Sequence, residues 1–240
     1  MRLYHHLREG VFLHRPNRFI AHCLVDGAEN VCHVKNTGRC RELLVPGARV
    51  WLEESDNPTR KTRFDLVAVE NRGYVVNMDS QTPNRVFARW AEEGGYLPGL
   101  SDLSAETVYG ASRFDFSYRR EGREGFVEIK GVTLFDDEGM AYFPDAPTQR
   151  GAKHLHELIR AREEGYEAGV CFILQREGVT GLRPNDRTDP AFGDALREAF
   201  AAGVLLTAAV CHVTPEGFAI THRVPVWPER LCGDQGRNAV

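Results

Sequence analysis

The sequence predicts an α/β (α+β) protein in two parts: a small β-barrel over residues 1–80, then a mixed sheet with helices over residues 81–240. Three observations predict it. Up to Met78 the chain is a series of short apolar runs separated by turn residues, Asp26-Gly27, Pro46-Gly47 and Asn71-Arg72-Gly73. Beyond Thr82, segments of helical spacing alternate with strand-like runs. One of those runs, GVCFIL at 169–174, is apolar throughout, as a strand covered on both faces must be.

The barrel strands are expected at 11–13, 19–25, 31–34, 50–53, 64–70 and 74–77. Five or six short strands in about seventy residues suit an OB-like barrel, an architecture that binds nucleic acid through basic loops and aromatic rings. The loop KNTGRCREL carries Lys35, Asn36, Thr37, Arg39 and Arg41 around a glycine. Backbone N–H groups and guanidinium groups together are suited to holding phosphate. An ordinary helix start with Thr37 as N-cap is the alternative.

Thr82-Pro83 opens a helix with Val86, Phe87 and Trp90 on one face and Gly94 at its end. The segment DLSAETVYG, with Glu106, reads as a short helix. A hairpin follows over 111–134, then a third strand at 140–143. Asp145 is expected to cap a helix over 147–164 with Leu155, Leu158 and Ile159 in the core. Its first turns hold Gln149, Arg150, Lys153, His154 and His156, and Gln149, Lys153 and His156 share a face. Cationic residues near the positive end of a helix dipole are locally unfavourable, and a bound phosphate or plain solvation offsets that equally well. Asp189-Pro190 starts a last helix that stops at Gly203, and strands at 204–213 and 218–221 complete the sheet.

The hairpin carries the chemistry. Phe114 and Phe116 alternate with Arg113, Asp115 and Ser117 in one strand, and Phe126, Val127, Ile129 and Val132 mark the other. With Glu121-Gly122 as a two-residue turn, Asp115 stands across from Glu128. Opposed carboxylates destabilise a sheet, and a hard divalent cation between them relieves the repulsion. Lys130 lies two residues along on the same face. The rival reading is a solvated Glu/Lys strand face, since acid–x–Lys arises by chance roughly twice in a chain of this size.

Net charge is −4, yet up to position 50 eight basic residues face four acidic ones, so an anionic partner fits the N-terminal end best. Six cysteines form no CxxC pair; buried free thiols in a reducing cytoplasm are expected, and the spacing of His22-Cys23 and Cys32-His33 is unlike a structural zinc site. The start MRLYHHLREG lacks the apolar core of a signal peptide, and no apolar run reaches membrane-spanning length.

The set Glu106, Asp115, Glu128-Ile129-Lys130 resembles the PD-(D/E)xK nuclease superfamily. More narrowly, HVKNTGRC, DSQTPN, YGASRFDF, VEIKGVTL and FPDAPTQRGAKHLHEL resemble the sugar fermentation stimulation protein family. The resemblance implies an OB-like domain joined to a nuclease-like domain in a cytoplasmic DNA-binding protein. It implies Mg²⁺ or Mn²⁺ on Asp115, Glu128 and the Ile129 carbonyl, with Lys130 and Glu106 completing a catalytic set. Arg113, Arg150 and Lys153 join the residues of the KNTGRCREL loop as phosphate contacts. Two functions stand open: a metal-dependent deoxyribonuclease, and a non-catalytic DNA-binding regulator of sugar (maltose) metabolism. A homo-oligomer is compatible with either. Cys40 stands where the family usually has a large apolar residue, and Gly131 where it often has Ser.

Overall fold

The computed structural model describes residues 1–36, 38–57, 59–110 and 112–230. Strands β1 (Leu7–Asn17), β2 (Ile20–Val25), β3 (Ala28–Val34), β4 (Arg49–Glu54) and β5 (Phe64–Asn71) close on themselves. β1 pairs antiparallel with both β2 and β4, β2 with β3, and β4 with β5; a parallel β3–β5 pairing shuts the ring. This is the OB barrel. Alternation along each strand sends Phe12, Cys23, Val25, Cys32 and Leu66 inward, where they pack with Leu43, Leu52 and Met78. Cys40 is fully enclosed in the same cluster. β6 (Tyr74–Asn77) continues from β5 as a hairpin.

The second part opens with α1 (Thr82–Glu92) and continues through β7 (Leu100–Tyr109), β8 (Ser112–Arg120), β9 (Arg123–Val132), β10 (Leu134–Phe135) and β11 (Met140–Phe143). Then come α2 (Gln149–Glu163), β12 (Glu167–Leu174), β13 (Gly181–Pro184), α3 (Pro190–Ala201), β14 (Leu205–Val213) and β15 (Phe218–Val224). The main sheet runs β15-β14-β12-β9-β8-β7, parallel in its β9, β12 and β14 centre and antiparallel at both sides. β10, β11 and β13 form a small second sheet.

Two apolar layers sandwich the main sheet. On one face Val86 and Phe87 of α1 meet Phe116, Val127, Ile129 and Ile173. On the other, Leu155 and Leu158 of α2 and Phe192 and Leu196 of α3 meet Phe126, Phe172 and Leu174. β12 carries apolar residues toward both layers, which accounts for its unbroken hydrophobic run.

Several expected elements move. DLSAETVYG is the edge strand β7, not a helix; its β-branched and alternating residues pair with β8, and Glu106 takes a left-handed φ of 54° within it. α2 begins at Gln149, later than expected, because Thr148 and not Asp145 is the N-cap, its hydroxyl accepting from the Gly151 N–H. The KNTGRCREL loop does not start a helix; residues 41–43 form a turn, and the proposed cap Thr37 lies outside the described residues. Among the described residues no helix is long and apolar enough to cross a membrane.

Candidate metal-phosphate site

The site begins with the hairpin turn. Glu121 and Gly122 both have positive φ, 52° and 77°, the pairing a type I′ turn requires. That turn fixes the register from Arg120↔Arg123 to Phe116↔Val127. Beyond Phe116 the β8–β9 ladder makes no further pair, and the Asp115 side chain enters the opening. Its Oδ2 accepts the Ile129 N–H at 2.7 Å, and its Oδ1 accepts from Asn84 Nδ2 of α1 at 3.0 Å.

Glu128 points to the opposite layer, beneath α2. Its Oε1 accepts from Lys130 Nζ at 2.7 Å and from His154 Nδ1 at 2.5 Å. The imidazole tautomer follows from its other contact. Arg150 Nε, which is only a donor, lies 3.3 Å from His154 Nε2, so Nε2 accepts and Nδ1 carries the hydrogen given to Glu128. Glu128 Oε2 is fully buried and, among the described residues, has no hydrogen-bond partner.

The electrostatics set the two acids apart. Burial pushes the Asp115 carboxyl up, and the nearby Glu128 charge pushes it further. Burial acts the same way on Glu128, but the hydrogen bond from His154 and the Lys130 ammonium outweigh it and hold that carboxyl low. The Asp115 carboxyl is therefore one whose charged form is disfavoured by its surroundings and would be favoured by a cation. The other is ionised with one oxygen left bare. Such a pair fits a hard divalent ion: two carboxylates, an orphaned buried oxygen and a neighbouring backbone carbonyl at Ile129.

A cavity of about 420 Å³ opens beside His154, lined by Ser112, Arg113, Gln149, Arg150 and Lys153. Three of the expected phosphate contacts thus share one wall next to the acids. Arg113 is also paired with Glu106 at 3.1 Å. Lys153 lies 3.7 Å from Glu157.

The other expected residues lie elsewhere. Glu106 is exposed on the edge strand, with a left-handed φ and an ion pair to Arg113. Lys35 sits among Glu53, Asp65 and Asp79 at 3.4–3.5 Å, so its charge is spent inside the barrel wall. Asn36 bridges the Gly38 N–H and the Met78 carbonyl. Arg39 and Arg41 line a separate cavity on the barrel. Cys23 and Cys32 are buried free thiols, on the opposite side of their strands from His22 and His33. His14, His22 and Glu29 do approach one another within 4.8 Å on the outer barrel surface, but beside several arginines, whose charge opposes a cation.

His154, Asn84 and Gln175 complete the surroundings and carried no signal of their own in the sequence. Only His154 left a trace, as one of the polar residues crowding the first turns of α2. Gln175 explains Gly131: a Cβ there would lie 2.4 Å from Gln175 Oε1, so the residue after Lys130 must be small.

Comparison with known proteins follows the same two-part division. The family model for the sugar fermentation stimulation protein RE domain matches residues 81–217, and that for the SfsA N-terminal OB domain matches 13–78. The chain belongs to the sugar fermentation stimulation protein family. It is 52% identical to a family homolog from Desulfitobacterium hafniense over 213 residues, covering 89% of this chain and 92% of the relative. A homolog from Ruminiclostridium cellulolyticum is 46% identical over 215 residues, covering 90% and 94%. Among solved structures, Pyrococcus furiosus SfsA in complex with Ca²⁺ superposes with a TM-score of 0.86 at 28% identity, over 95% of this chain and 98% of that one.

Proposed function

We propose that this member of the SfsA family is a cytoplasmic DNA-binding protein whose second unit, residues 81–240, is a divalent-metal-dependent PD-(D/E)xK-type phosphodiesterase, with residues 1–80 as a nucleic-acid-binding barrel. The observation that carries the reading is the bare, buried Glu128 Oε2 near an Asp115 carboxyl that burial and the Glu128 charge push up despite its hydrogen bonds and Lys130. The Ca²⁺ bound to the Pyrococcus furiosus relative supports a divalent ion, for which we assign Mg²⁺ or Mn²⁺ in the working protein.

Asp115, Glu128 and the Ile129 carbonyl would hold the ion, which when bound polarises a phosphoryl oxygen and acidifies a coordinated water. The chain's own groups do the rest. Arg150 and Lys153 draw a phosphate into the cavity over α2. Lys130, already an ion-pair donor to Glu128, offers its remaining N–H groups to charge developing on the phosphoryl oxygens. His154 fixes the Glu128 carboxylate by occupying Oε1, which leaves the buried Oε2 free for the ion. Asn84 and the Ile129 N–H do the same for Asp115.

A second reading, a DNA-binding regulator of sugar (maltose) metabolism that does not cut, draws on Glu106: the third acid of the expected set is held by Arg113 on the edge strand. Incubation with supercoiled plasmid in Mg²⁺ or Mn²⁺ separates the two. The nuclease reading expects nicking by the unaltered protein, lost in Asp115→Ala and reduced about 10²–10³-fold in Lys130→Ala. No nicking, with DNA affinity equal in all three proteins, leaves the regulator.

A further inference from the structure

We infer that the DNA this protein acts on carries a single-stranded arm, and that the arm runs from the acid pocket into an arginine-lined notch on the barrel. The inference rests on the nucleic-acid reading above and names its substrate class.

The notch holds about 590 Å³ between the β1–β2 end of the barrel, the loop around Gly38 and Ala146 of the second unit. Its charged lining is Arg15, Arg18, Arg39 and Arg41, with no acid among the lining residues. Arg15 is structural. Its guanidinium donates to the carbonyls of Arg18, Asn36, Gly38 and Arg39 at 2.6–3.0 Å and so stitches the wall together. Among the described residues, Arg18, Arg39 and Arg41 have no carboxylate partner, unlike the many paired arginines elsewhere on the surface. Three uncompensated guanidinium groups on a braced wall make a phosphate-tracking surface. Phe19, 47% exposed, lies under Arg18 with the guanidinium carbon 5.2 Å from the ring centroid, which gives a base a ring and a cation to stack on.

The notch and the cavity beside His154, whose imidazole holds Glu128, lie close along the chain. Ala146 lines the first and Gln149 the cavity beside His154. Three residues of chain reach at most about 11 Å. The loop between them is pinned to the barrel, because Arg39 N–H donates to Asp145 Oδ2 at 2.9 Å. A strand leaving the cavity beside His154 therefore has the notch of Arg39 and Arg41 close by, across the 146–149 segment. Stacking on the exposed Phe19 ring needs a base freed from pairing, so the arm that reaches it is unpaired.

The test is fluorescence anisotropy on the full chain in Ca²⁺, with a blunt duplex and the same duplex bearing a 5′ or a 3′ tail of about ten nucleotides. One tailed form is expected to bind at least about tenfold tighter than the blunt form, the worth of a stacked base. The double variant Arg39→Ala/Arg41→Ala, both exposed side chains, is expected to lose that gain, the tailed and blunt forms then binding with affinities within about twofold of each other. Arg119→Ala, which removes an exposed charge on the hairpin, is the control and keeps the gain. Equal affinity for tailed and blunt DNA overturns the inference and leaves the nuclease reading standing, as does a gain that survives in the double variant. Failure to bind any of the three DNAs overturns both.

Discussion

His154 Nδ1 donates to Glu128 Oε1 at 2.5 Å, and both residues are only 4% exposed. The bond links helix α2 to the central sheet and decides which Glu128 oxygen stays free. His154→Ala removes the leading contribution that lowers the Glu128 carboxyl and leaves burial to raise it. A lowered folded-state pKa stabilises above the unfolded value and that stability is lost as pH falls through the folded one. The variant is therefore expected to be less stable at neutral pH by about 1–3 kcal/mol. The difference should close as pH drops through the carboxylate range. Urea unfolding at neutral and acid pH measures it; a gap that widens in acid contradicts the assignment.

Asp115 behaves oppositely. Burial and the Glu128 charge raise its pKa, so its contribution to folding favours low pH and is lost as pH rises through the folded value. Asp115→Asn keeps an acceptor for the Ile129 N–H while the Asn84 amide can turn to meet the new NH₂. Without metal the variant is expected to be as stable as the unaltered protein at neutral pH, or more so. With Ca²⁺ at about a hundred times its dissociation constant, only the unaltered protein gains about 2.7 kcal/mol. Ca²⁺ affinity should also fall on acidification, as protons compete for this carboxyl. Thermal unfolding with and without Ca²⁺ checks the first point and calorimetry across pH the second.

Lys35 looks like a phosphate ligand in sequence and is a structural cation in the fold. It stands 3.4–3.5 Å from Glu53, Asp65 and Asp79, and the last two are buried. Lys35→Ala leaves Asp79 without its ion pair and weakens the compensation of Asp65. It is expected to cost about 3 kcal/mol of stability, with the salt dependence of DNA binding unchanged. A phosphate contact would instead reduce the salt slope by about one with little loss of stability.

What the sequence made legible were the local rules. Asp26-Gly27, Glu121-Gly122 and Asp189-Pro190 mark their turns and cap, and the fully apolar 169–174 run marks the central strand. The hairpin register follows from turn length alone, which brings Asp115 and Glu128 to the same end of the β8–β9 ladder. Long-range placement was not legible. Asn84 reaches Asp115 across 31 positions and His154 reaches Glu128 across 26, and no spacing rule links such residues. Glu106 was expected on a short helix and stands instead on the edge strand with a left-handed φ, paired with Arg113, because β7 pairs with β8. The loop 35–41 misled in part because a basic residue at a loop shows its charge in sequence and hides its partner. Lys35 is neutralised by acids from three separate segments, while among the described residues Arg39 and Arg41 have no carboxylate partner.

Gly38 is one of the places where the barrel touches the second unit. A Cβ there would stand 2.4 Å from Asp145 Oδ2 and 2.9 Å from Asn36 Oδ1. The carboxylate cannot retreat and still accept the Arg39 N–H. Gly38→Ala is expected to break that contact and cost about 1–3 kcal/mol, a fall in melting temperature of about 2–4 °C per kcal/mol for a chain of this size. Asp145→Ala removes the same contact from the other side without adding volume. The two changes share one contact, so the double variant should fall well short of the sum of the singles. Thermal unfolding of the three variants measures the coupling; full additivity would show that Gly38 is small for some reason other than Asp145.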